Sequence, residues 1–170
     1  MKIFYGGAIQ GNRDRTERVH IHRFFIDLIK TEGFTVCSEH TSGASIEETA
    51  FFLEQAMGTL PSRGIERTRF VRDHSIRFVE GDIAAAVFEM STPSLGTGVE
   101  FAHAYLRPRL GLPTIPILAL YQEGYWPGKL STMVRGITSE QIPNLQVVDY
   151  SDLEHARPCV VEFLQKLKQP

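Results

Sequence analysis

The chain has 170 residues, 42% of them hydrophobic, which suffices for one sizeable core and reads as a single domain over residues 1–170. Its formal charge of −2, with Lys and Arg dispersed and no basic stripe, argues against a nucleic-acid partner. No apolar run approaches the roughly 18 residues of a membrane helix. Cys37 and Cys159 lack the spacing of a disulfide framework or a zinc site. With a strand-like start that leaves no room for a signal peptide, the expectation is a cytoplasmic protein with reduced thiols.

Lys2-Ile3-Phe4-Tyr5 reads as a first strand running into a glycine-bearing loop, Gly6 to Arg13. From about Arg15, Val19, Phe24, Phe25, Leu28 and Ile29 recur at helical spacing, and Gly33 ends the helix. His20 and His22, two apart on that helix, face different ways, which argues against a metal pair. Phe34 to Cys37 is a second strand, with Ser38-Glu39-His40 at its carboxyl end. Ser45-Ile46-Glu47-Glu48 has the form of a capping box opening a helix through about Met57. Gly58 to Gly64, with Pro61, is loop. Ile65 to Glu80 is a further helix with Val71, Ile76, Phe78 and Val79 on or near its buried face, and Gly81-Asp82 turns the chain into an apolar central strand, Ile83 to Phe88.

Ser91-Thr92-Pro93-Ser94-Leu95-Gly96-Thr97-Gly98-Val99-Glu100 follows, and a helical segment from Phe101 to Leu106 comes after it. This is strand, glycine loop, helix. A loop at the carboxyl end of a parallel strand, leading into a helix N-terminus, suits an anion, because unpaired amides point outward there. Pro93, Gly96 and Gly98 fit a tight turn whose backbone approaches a phosphate closely. Glu100, placed in the first helical turn, is kept ionised by the helix dipole unless burial raises its pKa. That suits a nucleophile, and equally a helix-capping carboxylate. Gly96-Thr97-Gly98 lacks the third glycine of the dinucleotide fingerprint, and no Gly-Lys-Ser/Thr follows. Ser94 has no G-x-S-x-G elbow and no histidine placed to activate it.

Arg107 to Pro113 is a turn and Thr114 to Tyr121 the most apolar strand. Gln122 to Gly128 is a loop with Tyr125 and Trp126 that either meets a partner or lids a site. Leu145 to Val148 is the last strand. Val160, Val161, Phe163, Leu164 and Leu167 give the closing helix its apolar face, with Pro158 near its start rather than its middle. Strands alternating with helices imply an α/β fold, a doubly wound, Rossmann-like parallel sheet of five strands covered on both faces, in the order 2-1-3-4-5. Strands 1 and 3 are then neighbours at a switch point, and the two glycine loops converge on one crevice.

Four patches resemble the 2'-deoxynucleoside 5'-monophosphate N-glycosidases, cousins of the nucleoside 2-deoxyribosyltransferases. They are Gly7-x-Ile9-x-Gly11 with Asp14-Arg15-Thr16, the Glu39-His40 pair, Pro93-Ser94-Leu95-Gly96-x-Gly98-x-Glu100, and Leu130-Ser131-x-Met133-x-Arg135-Gly136. The resemblance implies that Glu100 attacks the anomeric carbon of a nucleoside 5'-monophosphate, giving a glycosyl-enzyme that water resolves. It implies that Ser94, Gly96 and the amides around Ile9 to Gly11 hold the 5'-phosphate, that His40 contacts ribose or base, and that Ser131 and Met133 belong to the site. Ser131 would come from the neighbouring subunit of a homodimer; it also reads as a helix N-cap. No metal or cofactor is implied.

The chain departs from that pattern in three places. Phe4 stands where relatives carry a tyrosine, which removes a hydroxyl and leaves room for a ribose 2'-OH, as in the cytidylate-hydrolase branch. Tyr5 cannot replace it, because adjacent strand residues face opposite sides. Relatives place the acid that protonates the leaving base three residues ahead of an aromatic; here that position is Ser75, with Asp73 and His74 nearby. Gln10 replaces a phosphate-loop arginine, leaving Arg13 or Arg15 to compensate. The alternatives are a base-exchanging deoxyribosyltransferase and a nucleotide-binding module without catalysis.

Overall fold

A computed structural model describes residues 1–9, 15–125 and 130–169, with residues 15–17 described by backbone alone. In chain order the elements are β1 (Lys2–Gly7), α1 (Arg15–Thr31), β2 (Thr35–Val36), α2 (Ile46–Met57), α3 (Ile65–Glu80), β3 (Ala85–Glu89), α4 (Leu95–Tyr105), β4 (Ile117–Gln122), α5 (Thr132–Arg135), β5 (Leu145–Tyr150) and α6 (Leu153–Lys166). Short 3-10 turns at Glu39–Ser42 and Arg107–Leu110 stand where the sequence suggests only loop and turn. All strands are parallel, in the order β2-β1-β3-β4-β5, as the alternating pattern requires.

Alternation along the strands sorts the core into two layers. Ile3, Tyr5, Ala85, Val87, Leu118, Leu120 and Tyr150 pack with Phe25, Ile29, Val160 and Leu164 of α1 and α6. Phe4, Ala86, Phe88, Ile117, Ala119 and Tyr121 pack with Val79 of α3 and with Phe101 and Ala104 of α4. Both faces are therefore dry, which is why these strands read as continuous apolar runs rather than alternating ones.

Local signals set the helix ends. Gly33 takes φ 84 after α1, a left-handed conformation that a side chain disfavours. Ser45 caps α2 by accepting from the Glu48 amide at 3.1 Å. Glu48 reaches one residue further back than a capping box requires, to the Ala44 amide at 2.7 Å.

Several boundaries and one helix face differ from the sequence reading. β2 is only two residues long, although Thr35 and Cys37 still donate to Met1 and Ile3 carbonyls at 3.0 and 3.1 Å. β4 starts at Ile117, not Thr114, because Pro113 and Pro116 lack the amide a central strand donates. α6 starts at Leu153, capped by Asp152 accepting from His155 N at 2.9 Å, so Pro158 lies inside the helix at its sixth residue. On α3, Ser75 and Val79 are the buried residues, while Val71, Ile76 and Phe78 are half-buried. The largest difference lies at the glycine stretch. α4 begins at Leu95, so Gly96 and Gly98 are helical and Glu100 sits in the second turn, not the first.

Candidate active site

The ladder pairs Gly7 with Glu89 at the carboxyl ends of β1 and β3, so the two glycine stretches leave the sheet side by side. α4 packs back across β1 and β3. Its start is fixed by Ser94, whose hydroxyl accepts from Thr97 N at 3.3 Å and whose carbonyl accepts from Gly98 N at 2.9 Å. The amides of Leu95 and Gly96, the next donors of this turn, find no partner among the described residues, as expected of a helix N-terminus. A Cβ on Gly98 would meet nothing within 4 Å, and one on Gly96 only the Ser94 hydroxyl at 3.9 Å. Packing among the described residues therefore requires neither glycine. Open space beside free amides is what a close-lying anion uses.

Glu100 is half-buried, and burial alone raises its carboxyl to about 7. Of the two alternatives the sequence leaves open, ionisation kept by the helix dipole or a pKa raised by burial, this is the second: one turn deeper, the carboxyl is beyond the reach of the helix N-terminal field and in a drier place. Phe101, the next residue, packs edge-on against Phe88, with ring centroids 5.3 Å apart. Phe4 is fully buried on the same layer, 5.6 Å from Phe88.

Six buried side-chain atoms find no hydrogen-bond partner among the described residues: Arg18 Nε and Nη2 and Glu89 Oε2, of which Nη2 and Oε2 face each other as an ion pair, and, at the carboxyl ends of β2, β3 and β4, His40 Nδ1, Thr92 Oγ1 and Tyr121 Oη, which have no such counter-charge. A buried polar group left unmatched costs about 1–3 kcal/mol, so the occurrence of the last three at one end of the sheet makes that end a candidate ligand site. His40 is held in place by its neighbours. Ser38 exchanges two bonds with the Tyr5 backbone, at 2.8 and 2.7 Å, and Gly43 N donates to His40 O at 3.3 Å. Burial lowers the His40 imidazole to about 4, so it is neutral at physiological pH.

The other candidates are dispersed. Gly7 is buried against His22: a Cβ there would stand 2.4 Å from the imidazole Cε1. Ile9 is half-buried, while Gln10, Gly11 and Arg13 lie outside the described residues, as does Trp126. On α3, Ser75 is buried toward the sheet side, whereas Asp73 pairs with Arg72 at 2.6 Å and is about half exposed. His74 bonds Phe70 O at 2.8 Å and stacks on the Phe70 ring. Asp73 and Ser75 thus occupy different sides of the helix. Ser131 caps α5 by accepting from Met133 N at 3.3 Å, and Met133 is 82% exposed. His103, one turn beyond Glu100, pairs with Glu80 at 2.7 Å. His20 is exposed and His22 buried.

Thr92 and Tyr121 escape sequence reasoning because a polar residue ending an apolar strand carries no spacing signal. Glu89 and Arg18, both buried, escape it too, although a carboxylate closing a dry strand calls for a buried cation. Among the described residues no three His, Cys, Asp or Glu are grouped to hold a metal ion, and no helix is long and apolar enough to cross a membrane.

No family model matches the chain. Among curated proteins it is 30% identical over 156 residues to a Thermofilum pendens protein bearing the provisional name 2'-deoxynucleoside 5'-phosphate N-hydrolase 1, covering 92% of this chain and 90% of the relative. A Methanosarcina mazei protein of the same provisional name is 27% identical, with 97% of this chain and 84% of the relative covered. A Tetraodon nigroviridis 5-hydroxymethyl-dUMP N-hydrolase is 27% identical over 80% of each chain. Likeness at this level, end to end and on a sheet of the expected strand order, means that the chain belongs to the 2'-deoxynucleoside 5'-phosphate N-hydrolase family.

Proposed function

We propose that the protein hydrolyses the N-glycosidic bond of nucleoside 5'-monophosphates, releasing free base and sugar 5-phosphate, with Glu100 as nucleophile. The observation that carries this reading is the gathering of unmatched polar groups at one end of the sheet. The Leu95 and Gly96 amides open beside Ser94, and the unpartnered His40, Thr92 and Tyr121 side chains stand on the neighbouring strand ends. The 5'-phosphate binds the Ser94 hydroxyl and those amides, together with the loop from Gly7 through Ile9, Gln10 and Gly11 to Arg13. Gly96 and Gly98 let it approach. His40, neutral and buried, contacts ribose or base.

In the first step the ionised Glu100 carboxylate bonds to C1' as the C1'–N bond breaks, and the bonding pair leaves with the base, which takes up a proton. In the second, water adds to C1', the ester to Glu100 breaks, and the water proton departs. The acid that protonates the base belongs to the α3 region of Asp73 and Ser75. Phe4 leaves space beside the sugar for a ribose 2'-OH. Ser131 and Met133 reach the site of a second copy in a homodimer, a reading supported by the apolar surface that one chain leaves uncovered: Leu95 93%, Met133 82% and Val99 49% exposed. Free Cys37 and Cys159 fit a reducing compartment, and we place the protein in the cytoplasm.

The test is chromatography of free base from a panel of ribo- and deoxyribonucleoside 5'-monophosphates beside the unphosphorylated nucleosides. Base from the monophosphates alone is the expected result. Equal release from nucleosides, or base exchange outrunning hydrolysis, would replace the hydrolase with a deoxyribosyltransferase. A second reading, nucleotide binding without turnover, draws on Ser75 at the acid position and on the Asp73 carboxylate being engaged by Arg72; binding without base release from any member would establish it.

A further inference from the structure

The proposed chemistry uses the sheet face that carries Phe4 and α4, while a charged cluster is buried on the opposite face beneath the same strand ends. Glu89, the last residue of β3, is fully buried. Its Oε1 accepts from the Ser91 amide at 3.2 Å, from the Ser91 hydroxyl, and from Tyr150 Oη at 3.1 Å. Its Oε2 lies 2.6 Å from Arg18 Nη2, and Arg18 is itself 1% exposed. Arg18 Nη1 donates to Gln122 Oε1 at 2.8 Å, and Gln122 N donates to Ser91 Oγ at 2.7 Å. The contacts close a circuit, Arg18 to Glu89 to Ser91 to Gln122 and back to Arg18. Above it the Tyr125 ring lies 4.2 Å from the guanidinium.

One turn further along α1, His22 extends the same polar stripe. Its Nε2 lies 3.2 Å from Ala8 O and its Nδ1 2.9 Å from Tyr5 Oη. A carbonyl only accepts, so Nε2 carries the proton and donates to Ala8, and Nδ1 accepts from the tyrosine. α1 therefore grips the loop after β1 through His22 and the stem of the loop after β3 through Arg18.

We propose that Arg18 is a positioning residue for the nucleotide site: paired with Glu89, it fixes the Ser91 stem from which Ser94 and α4 depart, in register with the loop after Gly7. The inference rests on the reading that these two loops bind the 5'-phosphate. Stability alone gives weak reason for the arrangement, since a buried ion pair is commonly replaced by neutral groups at little cost. Direction is a better reason: the charge-assisted hydrogen bonds that Glu89 accepts and Arg18 donates, joined by the ion pair between them, fix a backbone orientation that apolar packing leaves loose.

Glu89→Gln alone would strand the Arg18 cation and destabilise the fold, so the test uses the double variant Arg18→Met/Glu89→Gln, which removes both charges, together with the mild Ser91→Ala. Each is melted in urea and titrated calorimetrically with ribose 5-phosphate, which carries the phosphate and no scissile base; KM and kcat for a nucleoside 5'-monophosphate are then measured. The double variant is expected to melt close to the unaltered protein yet bind ribose 5-phosphate about tenfold or more weakly, with KM raised more than kcat is lowered. A double variant that recovers both stability and affinity overturns the proposal. If it does not fold, Ser91→Ala decides: weaker binding supports the brace, and unchanged binding overturns it. An unaltered protein that binds ribose 5-phosphate without releasing base from any nucleotide defeats the hydrolase reading alone, because the affinity comparison still judges the brace. One that binds no ribose 5-phosphate overturns the brace even where base is released.

Discussion

Replacing Glu100 by Gln separates the folding cost of the site from its chemistry. Burial raises the Glu100 carboxyl from an ordinary 4.5 to about 7. Below about pH 4.5 the group is neutral in both folded and unfolded chains and contributes no difference. Between about 4.5 and 7 the unfolded chain ionises while the folded one stays protonated, so this residue lowers stability as pH rises; above about 7 the penalty is constant. At about 1.4 kcal/mol per pH unit the ceiling is about 3 kcal/mol. Because Glu100 is half-buried rather than sealed, solvent screening brings the expected value to about 1–2 kcal/mol. Glu100→Gln should therefore be more stable than the parent by about that amount at pH 8 and indistinguishable from it at pH 4. Urea melts at both pH values give the answer, and base release from the variant should be abolished while nucleotide binding persists. A stability difference that is the same at both pH values would refute the argument from burial. Unchanged turnover would sink Glu100 as the nucleophile.

Other outcomes follow from the same geometry. Base release should rise with pH through about 7 as Glu100 ionises; a rate that falls over that interval means that a different group attacks. Gly98→Ala should gain about 0.5–1 kcal/mol in thermal denaturation, because an interior helical glycine is costly and its Cβ space is empty, but should raise KM if the nucleotide lies there; a stabilised variant with unchanged KM would place the ligand elsewhere. Gly7→Ala should lose about 1–3 kcal/mol in urea unfolding, since its Cβ would stand 2.4 Å from an imidazole that two hydrogen bonds fix. Phe4→Tyr should raise the ratio of deoxyribo- to ribonucleotide turnover about tenfold by returning a hydroxyl to the sugar side, and an unchanged ratio removes Phe4 as the determinant.

The strand order and the two convergent loops were legible from the sequence because they follow from a repeated pattern: apolar run, glycine-bearing stretch, helical periodicity. The start of α4 was not. Glycines at 96 and 98 and Pro93 signal a turn locally, and only Ser94, with its Thr97 and Gly98 bonds, turns them helical. That displacement moved Glu100 inward by a turn, where burial and not the helix dipole sets the direction of its pKa. Pro158 misled in the same way, because Asp152 offers a stronger start to α6 than proline does. The Arg18–Glu89 pair was unreadable for a different reason: its partners are 71 positions apart on separate elements, and only the β1–β3 crossover brings them together.

The two faces of the sheet carry opposite kinds of cost, and the division bears on how such a site is kept. On the α4 side the chain tolerates two helical glycines, a carboxyl raised to about 7 and the Tyr121 hydroxyl without a partner among the described residues, all destabilising in the free protein. On the α1 side the stem of the same loop is tied by Glu89, Ser91, Gln122 and Tyr150, and the start of the neighbouring loop by His22. A loop with unmatched groups at its tip and a loose base would relax, closing over its own unmatched amides or drawing Glu100 toward water. Relaxation is prevented only if the base is held by directional bonds that do not themselves use the ligand-facing groups. The end of β3 meets that condition by turning one residue to each side: Phe88 toward Phe101 and α4, Glu89 toward Arg18 and α1. The alternation that makes the sheet dry on both faces thus also lets the site be poised on one face and anchored from the other.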